Sequence, residues 1–159
     1  MTSHRHAHSR LIGGDFEQWL SEHHKAAALL GIAVVRKVGA PSRYVMCKGR
    51  LQLITEAVGP ADYQGVLKGG RALALEAKHT DDETQPRSVI KAHQADDLDA
   101  VHALGGLSLL AVRFGRIVFV VPWAEAPWRR RGGGSSLSPA DLDPWRVRGA
   151  CYLSSLVNS

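Results

Sequence analysis

The stretch LSLLAVRFGRIVFVVPW, residues 107–123, is the most apolar in the chain and constrains the fold most. Arg113, Gly115 and Arg116 interrupt it, whereas a membrane span needs about 20 uninterrupted apolar residues. It therefore reads as two strands, 107–113 and 117–122, joined by a tight turn. No membrane association is expected.

The remaining segments supply what such strands pack against. From Asp15 to Leu30 the apolar period is helical, with Phe16, Trp19, Leu20, Ala27 and Leu30 near one stripe and Gly31 as a stop. GIAVVRKVG and RLQLITEA read as strands, separated by a loop or irregular strand over residues 39–50. DYQGVL and RALALEAK form a further strand pair around the turn Lys68-Gly69-Gly70. The polar run HTDDETQPR is a surface loop, and Ser88 is the predicted N-cap of a helix over 89–104 closed by Gly105-Gly106. The C-terminal piece SPADLDPWRVRGACYLSSLV is expected to form a short helix and strand. The order helix, strands, helix, strands predicts an α/β domain with a central mixed sheet flanked by helices.

A length of 159 residues suits one such domain, placed at 13–159. Residues 1–12 read as a polar, disordered tail whose alternating His4, His6 and His8 are at most a weak metal site. RRRGGGSS, residues 129–136, reads as a flexible, basic and glycine-rich loop. A net charge of +5 points to a polyanionic partner. Cys47 and Cys151 stand in no metal-binding or disulfide spacing, and MTSHRHAHSR lacks the apolar run of a signal peptide. A reducing, cytoplasmic setting is the expectation.

The chemistry gathers in ADYQGVLKGGRALALEAKHT, residues 61–80. Strand alternation puts Leu73, Leu75 and Ala77 on one face, and Ala72, Ala74, Glu76 and Lys78 on the other. The strand reads as half-buried, its leucine face toward the core. A hairpin partner carrying Asp62 brings a second carboxylate into the same volume. Two carboxylates, with the backbone carbonyl of Ala77 between the strand's acid and lysine, suit hard Mg²⁺ or Mn²⁺. A lysine can orient or deprotonate an attacking water, or stabilise charge on a phosphorane-like transition state. The same residues also fit a solvated Glu–Lys pair on a sheet surface, and spacing alone leaves both readings open.

Asp62-Tyr63-Gln64-Gly65, the glycine turn, and Glu76-Ala77-Lys78-His79-Thr80 resemble the RecU-type Holliday junction resolvases of the PD-(D/E)xK nuclease superfamily. Gly13-Gly14-Asp15-Phe16-Glu17 upstream, and His93-Gln94, Gly105-Gly106 and LSLLAVRF downstream, match the family in the same order. The likeness spans about residues 13–123. It implies a restriction-endonuclease-like core and a metal-dependent, structure-selective endonuclease that resolves four-way DNA junctions. Asp62 and Glu76 would be metal ligands and Lys78 the catalytic lysine. Glu17 would face the site from the first helix and join the metal's shell, its alternative being a solvated helix residue. Gln94 would position water or the scissile phosphate, and His93 would pack rather than ligate.

Arg36 and Lys37 occupy the place of a DNA-binding basic stretch, and Lys48, Arg50, Lys68, Arg71 and Lys91 are further candidates for phosphate contacts. Family members project a stalk into the junction centre from just before the catalytic aspartate. Residues 40–61 are the candidate here, although short and poorly matched, and the region after Trp123 has no counterpart. The small size and these departures suggest a phage-borne or divergent member. Two-fold symmetric junctions imply a homodimer, its interface drawn from the apolar strands and first helix; no organic cofactor is implied. Competing readings are a restriction-like or repair nuclease on other DNA, and a catalytically silent DNA-binding protein, against which a complete Asp62/Glu76/Lys78 set argues.

Overall fold

The structure, a computed structural model, describes residues 2–39, 42–55, 59–129 and 136–157. The side chains of residues 2–14 and of Thr55 lie outside that description, as does most of the basic, glycine-rich stretch.

A five-stranded mixed sheet forms the centre, in the order β1-β4-β5-β7-β8. Its strands are β1 (Ala33–Lys37), β4 (Tyr63–Leu67), β5 (Ala72–Thr80), β7 (Leu107–Phe114) and β8 (Ile117–Pro122). β5 and β7 run parallel, and the other neighbours are antiparallel. The crossover between the parallel pair carries helix α2 (Ala92–Ala103), which covers one face. Helix α1 (Thr2–Leu29) covers the other. Two minor sheets complete the strands: β2 (Ser42–Cys47) with β3 (Arg50–Thr55), and β6 (Gln85–Pro86) with β9 (Ser136–Leu137).

Each face of the sheet has its own core. Phe16, Leu20 and Ala27 of α1 pack on Leu73, Leu75, Leu107, Leu109 and Ala111, sealed by Tyr152 and Leu153 from the short helix α3 (Leu153–Leu156) and the residue before it. Leu98 of α2 packs on Ala74, Leu110, Val112, Phe119 and Val121, with Trp123, Trp128 and Leu142 closing the periphery. From Leu73 to Glu76, β5 is thus covered on both faces rather than half-buried. Its second face carries Ala74, small enough for α2 to come close.

Other differences from expectation have local causes. The helix expected from Asp15 extends back to Thr2, so residues 2–12 are helical rather than a tail; no proline interrupts them. At its C-terminus the Ile32 N–H reaches the Ala27 carbonyl (2.9 Å) and the Gly31 N–H that of Ala28 (3.1 Å), the two bonds of a Schellman cap. α2 is capped by Lys91, not Ser88, which lies in a 3₁₀ turn over Arg87–Val89. The Gln94 side-chain oxygen accepts the Lys91 N–H at 3.1 Å, fixing the start there. Residues 42–47, expected as irregular, form a regular hairpin with β3 because Lys48 and Gly49 both take positive φ (49° and 72°), the backbone of a type I′ turn. The polar run after Lys78 is only partly a loop: β5 continues through Thr80, and Gln85 is buried. The C-terminal region forms a 3₁₀ helix over Pro139–Trp145 and then α3. Among the described residues no helix is long and apolar enough to cross a membrane.

Candidate active site

The β4–β5 register pairs Tyr63 with Leu75, which sets Asp62, one residue outside the ladder, opposite Glu76. Gly65 lets β4 sit there: a Cβ on it would fall 2.3 Å from the Val34 carbonyl oxygen of β1. The glycine of the D-Y-x-G motif is therefore a packing requirement of the strand that carries the acid. The Val38 N–H donates to the Asp62 carbonyl at 2.8 Å, extending the β1–β4 pairing by one residue and fixing the aspartate's backbone.

The acidic groups meet across that ladder. Asp62 Oδ2 accepts the Ala77 N–H at 3.0 Å, and the Asp62 N–H reaches Glu76 Oε2 at 3.4 Å. Lys78 Nζ lies 2.7 Å from Glu76 Oε1, and the Gln94 side-chain amide donates to that same oxygen from α2. Glu76 is only 1% exposed, so this is not a solvated surface pair. Burial pushes its carboxyl up from the ordinary range; the Lys78 hydrogen bond opposes the rise and the Asp62 charge adds to it. Such a carboxylate gains from a cation beside it.

Asp62 and Glu76 supply hard oxygen donors. A strand residue's N–H and C=O point the same way, so the Ala77 carbonyl faces the Asp62 side as well. No group of three or more His, Cys, Asp or Glu converges among the described residues. Two carboxylates fit Mg²⁺, which keeps several waters and takes substrate phosphate oxygens to complete its octahedron.

The other expected residues are distributed more widely. Gln94 joins the cluster, bonded to Glu76 and to the Lys91 backbone. Glu17 does not: it pairs with Lys37 at 2.7 Å, both side chains more than half exposed. It remains close enough for its charge, after burial, to help raise the Tyr63 hydroxyl to about 12, with Asp62 adding less. Arg36 and Lys37 lie opposite Gln64 and Tyr63, at the end of the sheet that carries Asp62 and Glu76, and exposed Lys91 precedes α2 there. Lys48 and Arg50 stand at the tip of the β2–β3 hairpin. Lys68 and Arg71 are at the opposite end of β4–β5, where Arg71 holds the carbonyls of Gly105 and Gly106 (2.8 and 3.3 Å).

Sequence reasoning passed over two groups near the site. His23 and His24 are both buried, the His24 ring edge-on to Tyr63 of β4 with 5.1 Å between centroids. On α2, Asp97 accepts the Ala61 N–H at 2.9 Å. Asp97 follows Gln94 by three residues, a spacing that puts both on one helix face and was readable in advance.

A mixed sheet between two helical layers, with acids and a lysine converging at one end of its central hairpin, defines a nuclease of the restriction-endonuclease-like class. The family model of recombination protein U, RecU, matches residues 12–135, and the chain belongs to that family. The structure of Hjc from Archaeoglobus fulgidus, a Holliday junction resolvase from an archaeal hyperthermophile, aligns with a TM-score of 0.53 over 82% of this chain and 93% of that one. Their identity is 12%, so this likeness is one of fold. No curated protein sequence matches, and neither match bears on a phage origin. The chain is a Holliday junction resolvase of the RecU family.

Proposed function

We propose that this resolvase cuts four-way DNA junctions with Mg²⁺, as a cytoplasmic homodimer whose two sites nick opposed strands, and that Asp62, Glu76, Lys78 and Gln94 form each site. The convergence of Asp62 and Lys78 on buried Glu76 within one hydrogen-bonded cluster carries the reading. Asp62, Glu76 and the Ala77 carbonyl would hold the metal, which supplies Lewis acidity toward the scissile phosphate and lowers the pKa of a bound water. Mn²⁺ fits the same donors.

The chain's own groups do the rest. Lys78, held beside Glu76 and 17% exposed, can swing to the attacking water or to the charged phosphate oxygens. Gln94 fixes the Glu76 carboxylate from α2. Arg36, Lys37 and Lys91 flank the site and take neighbouring phosphates. Glu17 would take a supporting part in holding the metal, which would leave Lys37, its partner here, free for DNA. The β2–β3 hairpin leaves the sheet next to Val38 and returns just before Asp62. With Arg43, Lys48, Arg50 and exposed Tyr44, it is suited to meet the junction centre. Lys68 and Arg71, at the far end, serve DNA arms at most.

Cleavage of a synthetic four-way junction and a linear duplex, with Mg²⁺ and with chelator, tests the proposal. Mg²⁺-dependent cutting of the junction alone is expected, in symmetric pairs of nicks. Equal cutting of both substrates would leave a nuclease for other DNA structures. Binding without cutting by folded protein would leave a DNA-binding module.

A further inference from the structure

The loop that delivers Asp62 has one side-chain anchor among the described residues. Ala61, only 1% exposed, donates its N–H to Asp97 Oδ2 at 2.9 Å. Pro60 before it has no N–H to offer, so this bond fixes the chain just where it turns into β4. The anchor is stiff, because α2 is itself held at the two residues that follow Asp97. Leu98 is fully buried in the core. Asp99 accepts Trp123 Nε1 at 2.8 Å and pairs with Arg129 at 2.8 Å.

Gln94 and Asp97, three residues apart on that helix, therefore act on the two carboxylates separately. Gln94 bonds the Glu76 side chain itself, and Asp97 bonds the backbone adjoining Asp62. The strands that carry the two acids also meet directly, through the Ala77 N–H on Asp62 Oδ2 at 3.0 Å and the Asp62 N–H on Glu76 Oε2 at 3.4 Å. The spacing of the two acids is thus held by α2 together with the strand pairing.

We propose that Asp97 is a positioning residue of the nuclease, holding Asp62 in place against Glu76 so that the pair is preorganised for a divalent cation. This rests on Asp62 and Glu76 being the metal-binding pair. Ligand-supporting hydrogen bonds of this kind typically govern metal affinity or activity by about 10–100-fold. The bond requires an acceptor at position 97 rather than a charge, and asparagine supplies one.

The test compares Asp97→Ala and Asp97→Asn with wild type and with Asp62→Asn. Mn²⁺ binding to the DNA-free protein is measured by calorimetry, and junction cutting is titrated with Mg²⁺. Asp97→Ala is expected to weaken Mn²⁺ binding and raise the half-saturating Mg²⁺ concentration by about tenfold or more. Its affinity for the uncut junction in chelator should stay within about twofold, and Asp97→Asn should recover most of the loss. Wild-type metal binding in Asp97→Ala, or equal losses in the Ala and Asn variants, overturns the proposal. Should Asp97→Ala fail to fold, amide exchange on the wild type decides. The Ala61 amide is expected to be strongly protected, and exchange at the rate of an open loop refutes the anchor. If Asp62→Asn binds Mn²⁺ and cuts normally, the site assignment fails instead, which separates the two outcomes.

Discussion

Two hairpins in this molecule share a local design and differ in everything around them. β4–β5 and β2–β3 are both antiparallel pairs closed by lysine-glycine turns. β4–β5 is inserted into a five-stranded sheet, and from Leu73 to Glu76 its second strand is buried on both faces. Among the described residues β2–β3 is bonded to no third strand, and it leaves Tyr44 68%, Met46 65%, Leu51 63% and Leu53 57% exposed. Pairing puts Tyr44 opposite Leu53 and Met46 opposite Leu51, so these four share one apolar face. A lone two-stranded hairpin is marginal in water. Burial can hold a carboxylate pair within tenths of an ångström, whereas an uncovered apolar face can only be completed by a partner. Placed end to end in the chain, they set a buried acidic cluster beside an exposed apolar face.

The sharpest way to break that division is to remove catalysis without removing binding. Asp62→Asn or Lys78→Ala is expected to cut a four-way junction at least about 10³-fold more slowly, while gel-shift affinity for the junction in chelator changes little. Comparable losses in binding would mean that the site and the recognition surface are not separate. The core contrast comes next. Leu75→Ala, at a fully buried position, should cost about 2–5 kcal/mol in urea unfolding. Leu53→Ala should stay within about 0.5 kcal/mol, as exposed substitutions do. Equal costs would show that the β2–β3 hairpin is packed after all. The same hairpin should matter for DNA instead: Tyr44→Ala is expected to weaken junction binding by about tenfold, the scale of one lost base-stacking contact, with melting temperature unchanged.

How far each part was legible follows the same division. The two-residue period of RALALEAK brought Glu76 and Lys78 to one face, and the glycine turn set Asp62 opposite, because both facts are local. That this face is buried depends on α2 folding back over Ala74, a contact with Leu98 set by tertiary packing. Glu17 has the right helix and motif, yet its nearest countercharge is Lys37, and nothing in G-x-x-F-E specifies that pairing. Lys68 and Arg71 sit beside the catalytic motif in sequence, but a strand runs straight. Arg71 is five residues from Glu76, about 16 Å at 3.3 Å per residue. The regularity of Ser42–Cys47 turned on one lysine accepting positive φ at the turn. The burial of His23 and His24 depends on Tyr152, 129 and 128 residues away.

That histidine pair yields the smallest effect and the one most specific to β4–β5. His24 Nε2 and the Tyr152 hydroxyl are 2.7 Å apart, and the Tyr152 N–H donates to His23 Nδ1 at 3.2 Å. The groups facing His24 are Tyr63, Tyr152 and His23, none of them an anion that would favour its protonated form. Burial, and then the neighbouring His23, lower its pKa from 6.5 to about 4. Between those values the unfolded chain binds a proton that the folded one refuses, so stability falls as the pH drops from 6.5 toward 4 and is level above 6.5 with respect to this group. Melting temperature should therefore decline through that window, each kcal/mol lost costing about 2–4 °C. His24→Gln, which can still reach Tyr152 but does not titrate, should flatten most of the decline. Amide exchange resolves where the loss falls: protection should fade first in β4 beside Tyr63 and in the Tyr152 segment, while the β2–β3 amides show no dependence on this proton. An acid response of equal size in both hairpins would mean that the two share one support, and the contrast between them would have to be abandoned.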